Sequence, residues 1–243
     1  MVPAGRWSGK RNFPQPNSLR YDDRRDTMRA GLLLTLLAQL TPAVPATRAA
    51  GPDVDLARSL VRRVEERHGR TVDLVARFTQ SYRSGLLGRE VVERGVVSIR
   101  RPGRMRWEYK DPEAKLFISD GRTFYFYVPA DRQVVVSEQD AERSLAGRLL
   151  SGRGGLLEEF DASLEEPLEE GVLRVKLLPR KEQPDVERAF LDVEPSGRIR
   201  SILLEDVQGN RTRFRFEGVR ENTGVPDKLF RFDIPPGVEV IRG

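Results

Sequence analysis

The chain is 243 residues long, and 42 Lys and Arg against 37 Asp and Glu give it a formal net charge of +5. It has no cysteine, which excludes structural disulfides, thiolate metal sites, a thiol nucleophile and a lipidated N-terminal cysteine. The excess positive charge lies wholly within residues 1–49, which hold eight basic and three acidic side chains; the remainder is balanced and gives no electrostatic case for nucleic-acid binding.

Residues 1–27 are polar, basic and rich in Pro and Asn, and they precede Met28; they are read as a misassigned start or as a disordered arm. Residues 28–50 read as a secretory signal peptide. Arg29 supplies the basic start, Ala30 to Ala38 the apolar core, and Ala46 or Ala49 the cleavage position. The apolar run is too short to span a bilayer, and Pro42 and Pro45 would break a buried helix. Residues 51–243 then form one exported domain.

Asp55 to Arg67 is expected as an amphipathic helix with Leu56, Leu60, Val61 and Val64 on its apolar stripe, capped by Asp53 or Asp55 and ended at His68-Gly69. Strands follow. Val72, Leu74, Ala76, Phe78, Gln80 and Tyr82 share one face, and Arg89 to Arg100 pairs back through the Gly85–Gly88 turn. Met105, Trp107 and Tyr109 alternate with Arg104, Arg106, Glu108 and Lys110, again with period two. Asp111-Pro112 and Asp120-Gly121 are turn dipeptides, so Leu116–Ser119 and Thr123–Val128 are the next strands, with Arg132–Ser137 after them. Alternation alone leaves open whether Phe124 and Phe126 or Tyr125 and Tyr127 face the core.

Ala141 to Leu150 breaks the pattern. Ala141, Leu145, Leu149 and Leu150 fall at helical spacing ahead of Gly152, Gly154 and Gly155, and read as a short apolar-faced helix on a hinge, followed by Leu156, Leu157 and Phe160. Alternation resumes at Leu173, Val175 and Leu177, at Ala189, Leu191 and Val193, in an Arg198–Asp206 and Asn210–Glu217 hairpin, and at Phe230, Phe232 and Ile234. Arg211, Arg213 and Arg215 lie opposite Thr212, Phe214 and Phe216 and are read as a solvated strand face. The expected fold is mainly β with a few helices: a curved antiparallel sheet of about eleven short strands, apolar on one face and thinly covered by the helices.

Several of these pieces, taken in order, carry a resemblance. Arg101-Pro102, the Met105–Tyr109 strand, Pro112, Ser119-Asp120-Gly121 and the aromatic strand ending in Tyr127-Val128-Pro129 are preceded by Phe78-Thr79-Gln80 and followed by Pro235-Pro236-Gly237-Val238. Together they resemble the outer-membrane lipoprotein carrier family, the periplasmic chaperones called LolA. The resemblance runs over residues 51–243 and implies an unclosed half β-barrel with a helical lid over a hydrophobic cavity. It also implies a periplasmic, monomeric carrier without cofactor. Such a carrier would take acylated lipoproteins from an ATP-driven releasing complex in the inner membrane and hand them to an outer-membrane acceptor.

On that resemblance the candidate cavity wall is Phe78, Met105, Trp107, Leu116, Ile118, Phe124 and Phe126, and the candidate lid residues are Leu145 and Leu149. Arg101 matches the family arginine implied to hydrogen-bond the lid backbone and hold it closed; a guanidinium, with five donors, can gather several carbonyls. Met105 stands where the family usually carries an aromatic ring, and an adaptable thioether keeps that wall apolar. Rival readings are an envelope-stress sensor domain of related fold that binds a regulator protein, and a carrier of a non-protein lipid. A hydrolase is disfavoured. The single histidine, His68, reads as a helix-end residue, no serine sits in a nucleophile elbow, and the Glu165-Glu166 and Glu169-Glu170 pairs flank a turn at Pro167.

Overall fold

The computed structural model describes residues 52–138, 155–183 and 185–242. The signal-peptide reading of residues 28–50 and the lid-helix reading of Ala141–Leu150, with Leu145 and Leu149, lie outside those residues. Residues Ala49–Gly243 cluster as one compact unit.

Helix α1 (Pro52–Arg70) opens on a proline, whose fixed φ suits the first helical position, with Asp53 and Asp55 in its first turn and Arg67 and Arg70 in its last. Ala57, Leu60, Val61 and Val64 are fully buried at i, i+3, i+4 and i+7. The stripe is therefore centred on Ala57; Leu56, expected in it, is 44% exposed. The helix ends where the Thr71 amide and hydroxyl both donate to the Arg67 carbonyl, at 3.2 and 2.9 Å.

The strands are β1 (Asp73–Arg83), β2 (Glu90–Arg100), β3 (Arg104–Asp111), β4 (Lys115–Asp120), β5 (Phe124–Val128) and β6 (Gln133–Ser137). A one-turn helix, α2 (Leu156–Glu159), precedes β7 (Phe160–Glu165), β8 (Leu173–Pro179), β9 (Arg188–Val193), β10 (Ile199–Glu205), β11 (Arg211–Glu221) and β12 (Glu239–Arg242). They form a single unclosed sheet of twelve strands in the order β12-β6-β5-β4-β3-β2-β1-β11-β10-β9-β8-β7. Two expectations are corrected. The sheet is not wholly antiparallel, because β12 runs parallel to β6 at one edge. Phe230–Ile234 is not a strand: Phe230 closes a 3-10 turn (Asp227–Phe230), and the chain after it lies across the sheet.

Curvature is built in at identifiable points. The β2–β3 register shifts between Arg94 and Gly95, and the β1–β11 register shifts between Val75 and Arg77. Such bulges bend a strand and increase its twist. Gly95 is needed there: a Cβ would sit 2.1 Å from the Glu108 carbonyl oxygen and 2.8 Å from the Phe78 ring, which occupies the space above it. Gly197, at φ +81, lets the β9–β10 turn meet α1, where a Cβ would lie 2.7 Å from the Arg63 carbonyl oxygen.

The concave face carries the main core, in which α1 packs against the β7 and β8 end. Glu65 of α1 accepts from the Gly155 and Leu156 amides at 2.9 and 2.8 Å and so ties down the start of α2. Arg67 grips Glu221 of β11 in a two-pronged ion pair, Nε to Oε1 at 2.9 Å and Nη2 to Oε2 at 2.6 Å. On the convex face, the arginine stripe of β11 is not simply solvated. Arg213 is half-buried beside Arg174 and Asp192, and burial, then the Arg174 charge, lowers its pKa.

Asp73 joins β1 to the segment after β11. Its buried carboxylate accepts from the Thr223 amide (2.7 Å), the Thr223 hydroxyl (3.1 Å) and the Gly224 amide (3.0 Å). Burial pushes its pKa up, but these hydrogen bonds outweigh burial and hold it below the ordinary aspartate value. A depressed folded-state pKa stabilises the fold above the unfolded value, and that stabilisation is lost as pH falls through the folded one. Asp73→Ala is expected to cost about 2–3 kcal/mol near neutral pH in denaturant titrations. The gap from the parent should close on acidification, and a gap independent of pH would refute the carboxylate's part in it.

Candidate functional site

The registers decide which side chains share the concave face. Phe78 stands across from Gly95 and Phe216, Gln80 across from Glu93 and Phe214, and Val97 and Ile99 across from Trp107 and Met105. Trp107 then stands across from Phe117, which pairs with Phe126, while Ser119 pairs with Phe124. Ring contacts make a continuous ladder along this face. Phe78 meets Trp107 and Tyr109 edge-on at 4.9 Å each, and Trp107 lies 5.3 Å from Phe214. Tyr109 leads to Phe117 at 5.6 Å, and Phe117 stacks on Phe126 at 4.3 Å.

Of the sequence-predicted wall, the structure brings Phe78, Met105, Trp107, Phe124 and Phe126 to this face and settles the parity of β5 in favour of the phenylalanines. Phe78, Met105 and Trp107 are buried, and Phe124 and Phe126 are half-buried. Leu116 and Ile118 are corrected: they pair with Glu108 and Arg106 on one side and with Tyr127 and Tyr125 on the other, which places them on the convex face. There Ile118, Val134 and Phe230 are fully buried, and Phe232 packs 5.4 Å from both Tyr125 and Tyr127. The sequence reading missed Tyr109, Phe117, Phe214 and Phe216 as wall residues. The period-two alternation of β3 and β11 could have found all but Phe117.

Along the strands, the side of the ladder toward the β1–β2 turn is polar. The Tyr109 hydroxyl donates to Gln80 Oε1 at 2.5 Å, Glu93 pairs with Lys115, and the Lys115 ammonium lies 5.2 Å from the centre of the Tyr109 ring. Burial, then the Glu93 charge, pushes the Tyr109 hydroxyl well above its ordinary pKa, so it stays protonated and able to donate.

Arg101 sits at the opposite end of the strands, where β2 finishes. Its amide donates to the Val72 carbonyl at 2.9 Å, and its Nη2 lies 3.3 Å from Nδ1 of His68. His68 is thus more than a helix-end residue: it is 5% exposed and its ring meets the guanidinium. The Arg101–Pro102 peptide is cis. Arg100 and Arg104, the neighbouring cations, are instead engaged with Asp227.

The arrangement offers an apolar, largely aromatic floor on an unclosed sheet, with a guanidinium–imidazole pair at one end and a polar quartet at the other. Among the described residues no group of three His, Asp or Glu side chains is placed to hold a metal, and no helix is long and apolar enough to cross a membrane.

Comparison with known proteins agrees with this geometry. The family model described as "Outer membrane lipoprotein carrier protein LolA" matches residues 70–233. An outer-membrane lipoprotein carrier protein of Pseudomonas fluorescens is 31% identical over 213 residues, covering 86% of this chain and 99% of its own. That of Nitrosospira multiformis is 34% identical over 148 residues, covering 60% of this chain and 71% of its own. An uncharacterized conserved protein of Thermus thermophilus shares the fold, with a TM-score of 0.50 at 16% identity over 77% of this chain and 99% of its own. The match over most of the domain, and the carrier relatives at this level of identity, show that the chain belongs to the LolA family of outer membrane lipoprotein carrier proteins.

Proposed function

We propose that the protein is a periplasmic carrier, not an enzyme, that shelters the acyl chains of lipoproteins on its concave aromatic face and moves them from the inner to the outer membrane. Family membership supports the carrier reading, and the single observation that carries the mechanism is the ladder from Phe214 to Phe126 on the concave face of a sheet that does not close. Acyl chains are worth roughly 0.8 kcal/mol per buried CH2, so a lipoprotein's chains sum to something on the order of tens of kcal/mol. Unaided crossing of an aqueous compartment is therefore negligible. A carrier must offer a dry surface and then release it. The unclosed sheet supports the first requirement, and Arg101 at its rim is the proposed means of the second, as a latch that favours the empty, closed state.

The test mixes the purified protein with inner-membrane vesicles loaded with a labelled acylated lipoprotein, with and without ATP and the releasing complex. The expected result is a soluble one-to-one complex with the acylated form and none with an unacylated control. A folded protein that captures neither form would remove the lipoprotein-carrier reading.

A further inference from the structure

We propose that the tip of the β1–β2 hairpin, Leu86-Leu87 together with Val207 of the adjoining β10–β11 turn, docks the protein on an anionic lipid bilayer. Leu86 is 90% exposed, Leu87 67% and Val207 64%. Tyr82, Val91 and Val92, also exposed, stand just below the tip, so six of the thirteen large apolar side chains exposed among the described residues gather at this one end of the strands. A gathering of this kind on an otherwise polar surface marks an interaction site.

The tip is held, not loose. The Leu87 amide donates to Ser84 Oγ at 3.2 Å and the Gly88 amide to the Ser84 carbonyl at 2.9 Å. The Gly85 amide donates to Asn210 Oδ1 at 3.1 Å, and Gly85 packs so closely on the next turn that a Cβ would lie 2.6 Å from the Gln208 carbonyl oxygen. Asn210 is fixed in turn by Asp206 at 2.8 Å. All of this is polar and backbone chemistry, and none of it calls for leucine at positions 86 and 87.

The occupant follows from shape and charge. With Leu86 90% and Leu87 67% exposed, both side chains are free to enter a deformable partner. Arg83 and Arg89 flank the two leucines, both exposed, and among the described residues neither makes an ion pair. Glu90 stands across from Arg83 in register, and Arg211, on Arg83's other side, is paired with Glu205 at 2.9 Å. Leucines foremost, with guanidinium groups and a tyrosine just behind, match the layering of a bilayer interface: acyl chains, then phosphates and the aromatic belt.

The chain lacks cysteine, so Leu86→Cys in the full protein carries one environment-sensitive fluorophore, and Glu170→Cys, in the β7–β8 loop at the other end of the strands, is the control. Any contribution of the N-terminal segment is common to both. Phosphatidylcholine vesicles containing phosphatidylglycerol should raise emission at position 86 about twofold or more, with quenching by nitroxide-labelled lipid and no change at position 170. Adding Arg83→Gln and Arg89→Gln should weaken vesicle association by about tenfold, as should omitting phosphatidylglycerol. Silence at position 86 with a folded protein, an equal response to neutral vesicles, or a response only to detergent-solubilised membrane proteins would each overturn the proposal. Leu86→Ser with Leu87→Ser should still form the soluble complex with acylated lipoprotein, so failure of docking and failure of the carrier reading are separable.

Discussion

Replacing Arg101 with leucine is expected to leave cargo uptake intact and to slow delivery to acceptor membranes by about tenfold or more. Hydrogen bonds to a charged group contribute about 1.5–3 kcal/mol, and removing that much from the closed state alone changes the opening equilibrium by one to two orders of magnitude. In the proposed latch the closed state competes with cargo, so weakening it makes the carrier hold on. The anchoring of Arg101 favours such a part: its backbone is tied to β1 through the Val72 carbonyl while its side chain meets the buried ring of His68. His68→Leu keeps the guanidinium and removes only the ring, and should give a smaller defect of the same kind. The measurement is single-turnover transfer of a labelled lipoprotein from the carrier to vesicles bearing the acceptor, with cargo affinity measured separately. Normal transfer by Arg101→Leu would remove the latch. A loss of uptake equal to the loss of transfer would make Arg101 part of the binding surface instead.

How far the sequence could be read depended on whether a strand has one covered face or two. In β3 and β11 one face is apolar and the other charged, and in β1 the other face is mostly polar, so alternation put Phe78, Met105 and Trp107 on the face where the structure also has them. In β4 and β5 the residues Leu116-Phe117-Ile118 and Phe124-Tyr125-Phe126-Tyr127 are apolar or aromatic throughout, and period two disappears. The structure supplies the reason: the 3-10 turn and Phe232 cover the convex side of these strands, which need apolar side chains on both faces. The same covering segment explains the misread strand. Phe230 and Phe232 alternate because one side of an extended, unpaired stretch lies on the sheet, with Ile234 beyond them exposed, and a pattern of burial cannot distinguish that from a ladder of hydrogen bonds. The parallel pairing of the four-residue β12 left no local signal, because partner direction is a property of the path between strands. The His68–Arg101 contact, 33 positions apart, was invisible for the same reason.

Phe117 and Ile118, neighbours in sequence, should fail in opposite ways. Ile118 is fully buried on the convex face, and Ile118→Ala is expected to cost about 2–5 kcal/mol of stability while leaving cargo affinity unchanged wherever the variant is folded. Phe117 is half-buried on the concave face, stacked on Phe126 and tilted against Tyr109 and Phe124. Phe117→Ala should cost only about 1–2 kcal/mol of stability, since half of the ring's burial is at stake. Cargo affinity should nevertheless fall by about tenfold, because the ring links the two halves of the aromatic floor and about 1.4 kcal/mol of lost contact suffices for that factor. Denaturant unfolding and titration with a fluorescent acyl ligand read the two quantities independently. The reverse pattern, with affinity lost in Ile118→Ala and kept in Phe117→Ala, would put the ligand on the convex side and overturn the concave site, whatever the family resemblance implies. Equal losses of affinity in both variants would mean that binding senses the integrity of the whole sheet and that no single face is the floor.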